Sequence, residues 1–270
     1  MLRAVRSEGA EPGRRAKLER GATMLVRDPR ELYEVLVDRV QRTTDPLRRR
    51  PTLDVTPFEE VAAGLDGAVA GGVSESLRED ALAEIDAEVR ERVGELGTVL
   101  PFSLEYNAAS SLANLCYALV RVLRPATVLE TGVAYGVSSS FILQALAVNG
   151  EGELQSVDRP AVQPGVEDYI GALVPDRLRP RWTLHRGTSR RLLPRLLPEI
   201  GELSLFVHDS QHTYRNVSWE LRTVVPQLAR PAAVLVDDTA GTRAFEHWVR
   251  RTRPAFSAVV AHEWVGVAVL

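Results

Sequence analysis

The sequence predicts an α/β protein built on a doubly wound, mainly parallel sheet of seven strands, with an N-terminal helical extension. Two observations predict it. From about residue 105 onwards, short β-type runs alternate with helical runs, and strands joined by helices pair in parallel with helices on both faces of the sheet. The final two runs, Ala255–His262 and Val265–Leu270, have no helical run between them and predict an antiparallel hairpin.

The predicted strands are short runs rich in β-branched and apolar residues. Besides the hairpin they are Thr127–Thr131, Glu153–Val157, Arg181–His185, Leu203–His208 and Ala232–Val236. Helices are predicted where apolar residues return every three or four positions, because that spacing places them on one helix face. In this part of the chain the predicted helices are Ser138–Val148, Asn216–Leu228 and Arg243–Arg250.

In the N-terminal part of the chain, the sequence pattern predicts helices and no strands. Helical spacing of apolar residues extends from Leu32 to Val40, from Ser74 to Val93, and from Asn107 until Pro125 ends the third helix. Residues 43–73 are rich in proline and glycine and predict a long irregular connection. We therefore divide the chain into a flexible leader (1–28), a helical lid or dimerisation region (29–104) and an α/β domain (105–270).

Composition excludes several classes of function. The net charge of −3 gives no electrostatic case for binding nucleic acid or an anionic membrane. Cys116 is the only cysteine, which excludes an intramolecular disulfide and a thiolate metal cluster and fits a reducing compartment. No apolar run approaches the roughly 18 residues that a membrane span needs. We expect a cytoplasmic protein that acts on a small molecule and forms a homodimer or a higher homo-oligomer.

A glycine-containing turn follows the first strand of the α/β domain. In a doubly wound sheet the ligand lies outside the carboxyl ends of the strands. Glycine permits a tight turn and a close backbone approach, serine can cap the next helix and offer a donor to an anionic group, and an acidic residue after the second strand can accept both ribose hydroxyls. The cofactor contacts predicted on these grounds are Gly132, Gly136, Ser138 and Asp158, to which we add Glu130 and Thr131 at the strand end that leads into the turn.

A Rossmann dinucleotide-binding turn would share much of this pattern. Its G-x-G-x-x-G signature fails here, because Ala134 and Val137 occupy the second and third glycine positions. The turn therefore favours a Rossmann-like site for another adenosyl cofactor over a nicotinamide site. A turn that needs glycine for packing alone is the alternative interpretation.

Carboxylates follow two later strands of the predicted sheet, Asp209 after one and Asp237 and Asp238 after the next. If these strands are neighbours, the three carboxylates converge and repel one another unless they are protonated or bridged by a cation. Oxygen ligands favour Mg²⁺ or a similar hard ion. The alternative is that Asp238 or Thr239 caps the following helix and that Asp209 starts a turn.

Over residues 105–270 the sequence resembles the class I S-adenosylmethionine-dependent methyltransferases. Among them it is similar to the metal-dependent O-methyltransferases, both the catechol type and the bacterial enzymes that methylate sugars and other natural products. The catechol-type pattern E-x-G-x-x-x-G-x-S is matched by Glu130, Gly132, Gly136 and Ser138, and a second pattern, G-x-S, by Gly187-Thr-Ser189.

The resemblance implies roles for further residues. It implies that Ser189 lies near the adenine, that Asp209 belongs to both the cofactor and the catalytic site, and that Asp209, Asp237 and Asp238 bind Mg²⁺. The catechol type has a lysine as general base three residues after the first metal aspartate, where this chain has His212. Histidine can accept a proton near neutral pH, so we expect His212 to be the base. Alternatively, it is an N-terminal helix residue that bonds Asp209.

These observations predict an S-adenosylmethionine-dependent O-methyltransferase that acts on a hydroxyl of a sugar or natural product with the help of Mg²⁺. Three alternatives stay open. The first is a metal-independent O- or N-methyltransferase with His212 as its only base. The second is a protein that binds S-adenosylmethionine without transferring the methyl group, and the third is a nicotinamide dehydrogenase.

Overall fold

The computed structural model describes residues 51–96, 104, 108–159 and 167–270, together with five single positions between 29 and 40. The predicted leader and the predicted helix start at Asn107 lie outside the described residues. Of the helix predicted from Leu32 to Val40, the described positions 33, 36, 37 and 40 are helical.

Among the described residues, eight strands form one sheet. They are β1 (Val55–Thr56), β2 (Thr127–Thr131), β3 (Glu153–Asp158), β4 (Trp182–Arg186), β5 (Leu203–His208), β6 (Leu228–Val236), β7 (Phe256–Val260) and β8 (Gly266–Val269). The strand order is β1-β7-β8-β6-β5-β2-β3-β4. Every neighbouring pair is parallel except the two that contain β8. The predicted α/β class, its seven strands and the terminal hairpin β7–β8 are therefore confirmed, and β1 is an additional edge strand.

Helices cover both faces of this sheet. They are α1 (Phe58–Ala68), α2 (Val73–Ser76), α3 (Asp80–Glu95), α4 (Ser110–Leu123), α5 (Val137–Asn149), α6 (Ser189–Ile200), α7 (Tyr214–Val224) and α8 (Ala244–Thr252). Side chains of β5 alternate between the two faces, since Leu205 and Val207 pack with α1 to α5 while Phe206 packs with α6 to α8. In the described part of the chain, no helix is long and apolar enough to cross a membrane.

The N-terminal helices share the core of the sheet. Ile85 and Val89 of α3 are buried in the same cluster as the apolar faces of α4 and α5. The Glu79 carboxylate before α3 accepts hydrogen bonds from Tyr117 Oη at 2.5 Å and Arg121 Nε at 2.7 Å, both on α4. The described residues 51–96 thus pack against the α/β domain, while the boundary at 104/105 and the lid or dimerisation role stay predictions.

Three predicted segments differ from the structure. The connection predicted over 43–73 contains α1, whose glycines Gly64 and Gly67 lie inside the helix. The helix predicted from Ser74 to Val93 is divided, because α2 ends at Ser76 and α3 begins only at Asp80. Helix α6 was not predicted, and it contains two prolines, which ordinarily interrupt helices.

Two element boundaries also differ from their predicted positions. The helix predicted over Asn216–Leu228 ends at Val224 and is followed by a 3₁₀ turn over Val225–Gln227. Strand β6 therefore begins at Leu228, four residues before the predicted start at Ala232. Both shifts lie at the amino end of β6 and leave the carboxyl end, where the acidic residues follow, at the predicted place.

Gly64 has a packing reason that its neighbour Gly67 lacks. A Cβ at Gly64 would lie 2.4 Å from Cε2 of the Phe256 ring on β7, whereas a Cβ at Gly67 would meet no atom within 4 Å. The absence of a side chain at Gly64 therefore lets α1 lie close to β7.

We predict opposite effects of alanine at these two positions of α1. Gly67→Ala gains helix propensity and raises the free energy of unfolding by about 0.5–1 kcal/mol. Gly64→Ala makes the same gain but displaces the Phe256 ring, which lowers the free energy of unfolding by about 1–3 kcal/mol. Urea denaturation of the two variants measures the difference, and equal stabilisation by both would contradict the packing argument.

Candidate active site

The carboxyl ends of β2, β5 and β6 lie side by side. Thr131 is in register with His208, which is in register with Val236. Beyond the strands, the Asp209 N–H donates to the Thr131 carbonyl at 2.8 Å and the Asp237 N–H donates to the His208 carbonyl at 2.9 Å. The expectation that the Asp209 and Asp237 strands are neighbours is therefore confirmed, and β5 lies between β6 and β2, which leads into the predicted cofactor turn, Gly132–Gly136.

Glu130, the fourth residue of β2, is fully buried under that turn. Its carboxylate accepts hydroxyl hydrogen bonds from Ser138 and Ser139 at 2.6 Å and from Ser156 at 2.7 Å. Burial raises the pKa of Glu130, and the three hydroxyl donors oppose that rise. The predicted capping role of Ser138 is wrong, because Gly136 is the N-cap of α5 and Ser138 donates to Glu130 instead. These bonds join the end of β2 to the start of α5 and to β3.

The two glycines of the turn are in the left-handed region, with φ of +87° at Gly132 and +93° at Gly136. A Cβ at Gly132 would lie 2.0 Å from the backbone oxygen of Asp209, and a Cβ at Gly136 would lie 2.9 Å from the Gly171 Cα. Glycine is therefore required at position 132 because the backbone of the turn lies against the backbone of Asp209 there. The cofactor turn and the Asp209 loop touch through their backbones.

Asp158, at the end of β3, holds the middle of the turn. Its Oδ2 accepts hydrogen bonds from the Val133 N–H at 2.9 Å and the Ala134 N–H at 3.0 Å. Burial raises the pKa of Asp158, and these backbone donors lower it again in part. Ala134 has a φ of +49°, so the carboxylate stabilises a left-handed conformation that alanine disfavours.

Beyond the turn, Asp209, His212 and Asp237 form a cluster in which one ligand atom of each residue lies within 4.8 Å of the others. The Nε2 of His212 is 3.6 Å from Asp209 Oδ1, and its Nδ1 is 3.6 Å from Asp238 Oδ2. The Asp238 side chain is 54% exposed and its φ is +44°. The structure thus brings Asp209 and Asp237 together as predicted, places His212 beside them, and leaves Asp238 on the outer side of His212.

This cluster combines partly buried carboxylates that repel each other when both are charged. Burial and the charge of Glu130 raise the pKa of Asp209 well above its usual value. Burial and the charge of Asp209 raise the pKa of Asp237 to about 8. Asp237 Oδ1 is buried and has no hydrogen-bond partner in the part of the chain that the structure describes. A divalent cation would relieve the repulsion and occupy that oxygen, so the residues present fit a metal ion.

A second polar cluster, which the sequence analysis missed, lies behind the strand ends. Glu220 of α7 and His208 of β5 are both fully buried, with Glu220 Oε2 2.7 Å from His208 Nδ1. Burial alone would raise the pKa of Glu220, but the His208 charge and several donors lower it to about 2. Ser189 is one of these donors, so its hydroxyl is engaged by Glu220. A signal existed in the sequence, since Glu220 lies on the apolar face of α7 between Val217 and Leu221.

Comparison with known proteins agrees with this architecture. Residues 129–239 match the model of a family described as a methyltransferase domain. An O-methyltransferase of Streptomyces achromogenes, TomG, solved with S-adenosylmethionine, superposes with a TM-score of 0.50 at 17% identity, covering 71% of this chain and 89% of that chain. No curated protein matches by sequence.

Two further solved structures share the fold. An O-methyltransferase of Bacillus cereus in complex with S-adenosylhomocysteine has a TM-score of 0.50 at 13% identity, over 79% of this chain and 100% of that chain. A methyltransferase of Geobacter sulfurreducens has a TM-score of 0.50 at 17% identity, over 80% of this chain and 97% of that chain.

Residues 129–239 match the methyltransferase-domain family, and the chain shares its fold with solved methyltransferases, the enzymes that take a methyl group from S-adenosylmethionine. The part that matches the methyltransferase-domain family extends from Leu129 in β2 to Thr239 after β6. It therefore includes the predicted cofactor turn and both acidic loops, and it favours a methyltransferase over the nicotinamide dehydrogenase alternative.

We predict that alanine at Gly132 disrupts the site more than alanine at a glycine of similar backbone conformation. Gly150 has a φ of +75° and open space around its Cα, so Gly150→Ala carries only the backbone strain, about 1–2 kcal/mol. Gly132→Ala adds the contact with the Asp209 carbonyl and should cost at least about 2 kcal/mol more. Urea denaturation gives the two losses. Equal losses would show that the turn does not depend on the contact with Asp209.

Proposed function

We propose that this chain transfers the methyl group of S-adenosylmethionine to a hydroxyl of a small molecule, a sugar or a natural product, with the help of Mg²⁺ or a similar divalent cation. The observation that carries the proposal is the contact between Gly132 of the cofactor turn and the Asp209 backbone. It supports a methyl-donor site at the turn, directly beside a cluster suited to a cation. Support comes from the similar fold of the Streptomyces achromogenes and Bacillus cereus O-methyltransferases, which were solved with S-adenosylmethionine and S-adenosylhomocysteine.

The proposed cofactor site consists of the turn and the strand ends around it. Asp158 already accepts two backbone N–H groups, and a carboxylate has further lone pairs with which to accept ribose hydroxyls. The hydroxyls of Ser138 and Ser189 donate to buried carboxylates, so we assign these two residues a role in shaping the site. The full proposed set is Glu130, Thr131, Gly132, Gly136, Ser138, Asp158, Ser189 and Asp209.

The proposed cation site is formed by Asp209, Asp237 and Asp238. A cation held there would lower the pKa of an acceptor hydroxyl and would supply positive charge next to the reacting oxygen. Asp237 Oδ1, which lacks a hydrogen-bond partner among the described residues, is the ligand atom that the structure supports best. The chain itself contributes alignment, since the strand ends hold the acidic loops against the cofactor turn.

His212 is the proposed base. In the transfer, an O–CH₃ bond forms while the bond between the methyl carbon and the sulfonium sulfur breaks, the electron pair stays on sulfur, and the hydroxyl proton moves to the imidazole. Asp209 and Asp238 lie 3.6 Å from the two ring nitrogens of His212. These two carboxylates would stabilise the positive charge that the ring acquires.

The alternatives differ from this proposal in what they require of Asp209 and Asp237. A metal-independent methyltransferase or a protein that only binds the cofactor has no need for two neighbouring carboxylates whose pKa values burial and nearby negative charges raise. We therefore favour the cation-assisted enzyme. The cytoplasmic location and the homo-oligomeric state stay predictions.

We predict that metal binding depends on the carboxylate cluster and that turnover depends on metal binding. Asp209→Ala and Asp237→Ala should each weaken Mn²⁺ binding, followed by electron paramagnetic resonance, at least about tenfold. Release of S-adenosylhomocysteine with a panel of sugar and phenolic hydroxyls should cease after EDTA treatment and return with Mg²⁺. Asp176→Asn is a matched control, because Asp176 is 93% exposed and precedes β4 at the opposite edge of the sheet.

Full turnover after removal of all divalent cations would exclude the metal role and favour the metal-independent enzyme. Tight binding of S-adenosylhomocysteine by calorimetry, with no transfer to any hydroxyl of the panel, would favour the binding protein.

We predict that His212→Gln lowers kcat by about 10²–10⁴-fold, because the proton acceptor is lost. Affinities for Mn²⁺ and S-adenosylhomocysteine should stay within about twofold of those of the unaltered protein, since a base contributes to neither. His212 also lies within the distance of a ligand, and the Mn²⁺ titration separates the two roles. A parallel loss of Mn²⁺ affinity would make His212 a metal ligand.

A further inference from the structure

Glu220 connects segments of the chain that lie on different sides of the proposed site. Its Oε2 accepts a hydrogen bond from the Thr131 hydroxyl at 2.6 Å and lies 2.7 Å from His208 Nδ1. Its Oε1 accepts hydrogen bonds from the Ser210 hydroxyl at 2.9 Å and from Asn216 Nδ2 at 3.0 Å. The Glu220 carboxylate thus contacts polar side chains from the end of β2, the end of β5, the loop after β5 and the start of α7.

A buried carboxylate is costly, and this one lies on a helix face that otherwise packs in the apolar core. An apolar residue at position 220 would continue the packing of Val217 and Leu221 without that cost. Both oxygens of the Glu220 carboxylate have hydrogen-bond partners. We therefore infer that Glu220 serves to hold these partners in position.

The two oxygens of Glu220 reach the two loops that the proposed reaction needs. Thr131, held by Oε2, immediately precedes Gly132 of the cofactor turn. Ser210, held by Oε1, immediately follows Asp209. Gly132 and Asp209 are the residues whose backbones touch. A displacement of either loop therefore changes the bonds of the same carboxylate that holds the other loop.

We propose that Glu220 is a positioning residue that sets the Asp209 loop against the cofactor turn, so that cofactor binding and cation binding strengthen each other through it. The inference rests on the proposed function, because it requires that the turn binds the methyl donor and that Asp209 binds a cation. Glu220 touches neither ligand in this scheme and acts through Thr131 and Ser210.

The test measures the coupling between two ligands, S-adenosylhomocysteine and Mn²⁺. Mn²⁺ affinity is titrated with and without saturating S-adenosylhomocysteine, and the reverse titration must give the same factor. In the unaltered protein we expect each ligand to tighten the other at least about fivefold. Glu220→Gln replaces one acceptor oxygen by a donor and should reduce the factor to about one.

Ser210→Ala removes the hydrogen bond from the Asp209 loop to Glu220, together with the one that Ser210 accepts from Asn216, and leaves the Thr131 bond in place. It should also reduce the coupling factor, which keeps the test valid if Glu220→Gln does not fold. Ser76→Ala is its matched control, because Ser76 is a buried serine that donates to the Gly72 carbonyl at the start of α2, away from the site. This control should keep the factor of the unaltered protein.

The outcomes separate the two proposals. A Glu220→Gln or Ser210→Ala variant could have lower thermal stability but an unchanged coupling factor. That result would show that Glu220 has only a structural role, and it would overturn this inference while leaving the proposed function intact. The inference is likewise overturned if the unaltered protein binds both ligands without coupling. If the unaltered protein binds no Mn²⁺, the proposed metal role and this inference both fail.

Discussion

The backbone contact between Gly132 and Asp209 is the constraint on which the site depends. It requires a residue without a Cβ at the start of the turn, and it sets the distance between the turn and the loop after β5. The parallel pairing of β2 with β5 and of β5 with β6 brings the three strand ends to one edge. The position of each acidic side chain follows from that pairing, so the sheet builds the site and the loops only complete it.

Buried and partly buried carboxylates around this contact fall into two groups. Glu130, Asp158 and Glu220 each receive hydrogen bonds from two or more neighbouring groups, and each fixes one piece of backbone. Asp209 and Asp237 instead face each other, with one Asp237 oxygen lacking a hydrogen-bond partner among the described residues. The first group stabilises the fold, whereas the second is a source of repulsion that only a proton or a cation relieves.

Alternation of strands and helices was enough to predict the sheet, because period-two and period-3.6 patterns are local properties of the chain. The sequence predictions were wrong or incomplete where the conformation of a residue depends on contacts with a residue elsewhere in the chain. Gly64 suggested a loop because the Phe256 ring that it accommodates is far away in sequence. Ser138 suggested a cap because its true partner, Glu130, belongs to the preceding strand. Glu220 went unnoticed because only the folded chain brings Thr131 and Ser210 to it.

The Gly132 contact also bears on how such chains diverge. Because Gly132 packs against the protein's own backbone, a side chain at this position is costly whether or not a cofactor is bound. The Asp209–Asp237 pair is under the opposite pressure, since replacing either carboxylate removes a repulsion. A glycine at position 132 therefore reports on the fold, whereas the Asp209–Asp237 pair is the feature of this region that the stability of the fold does not account for.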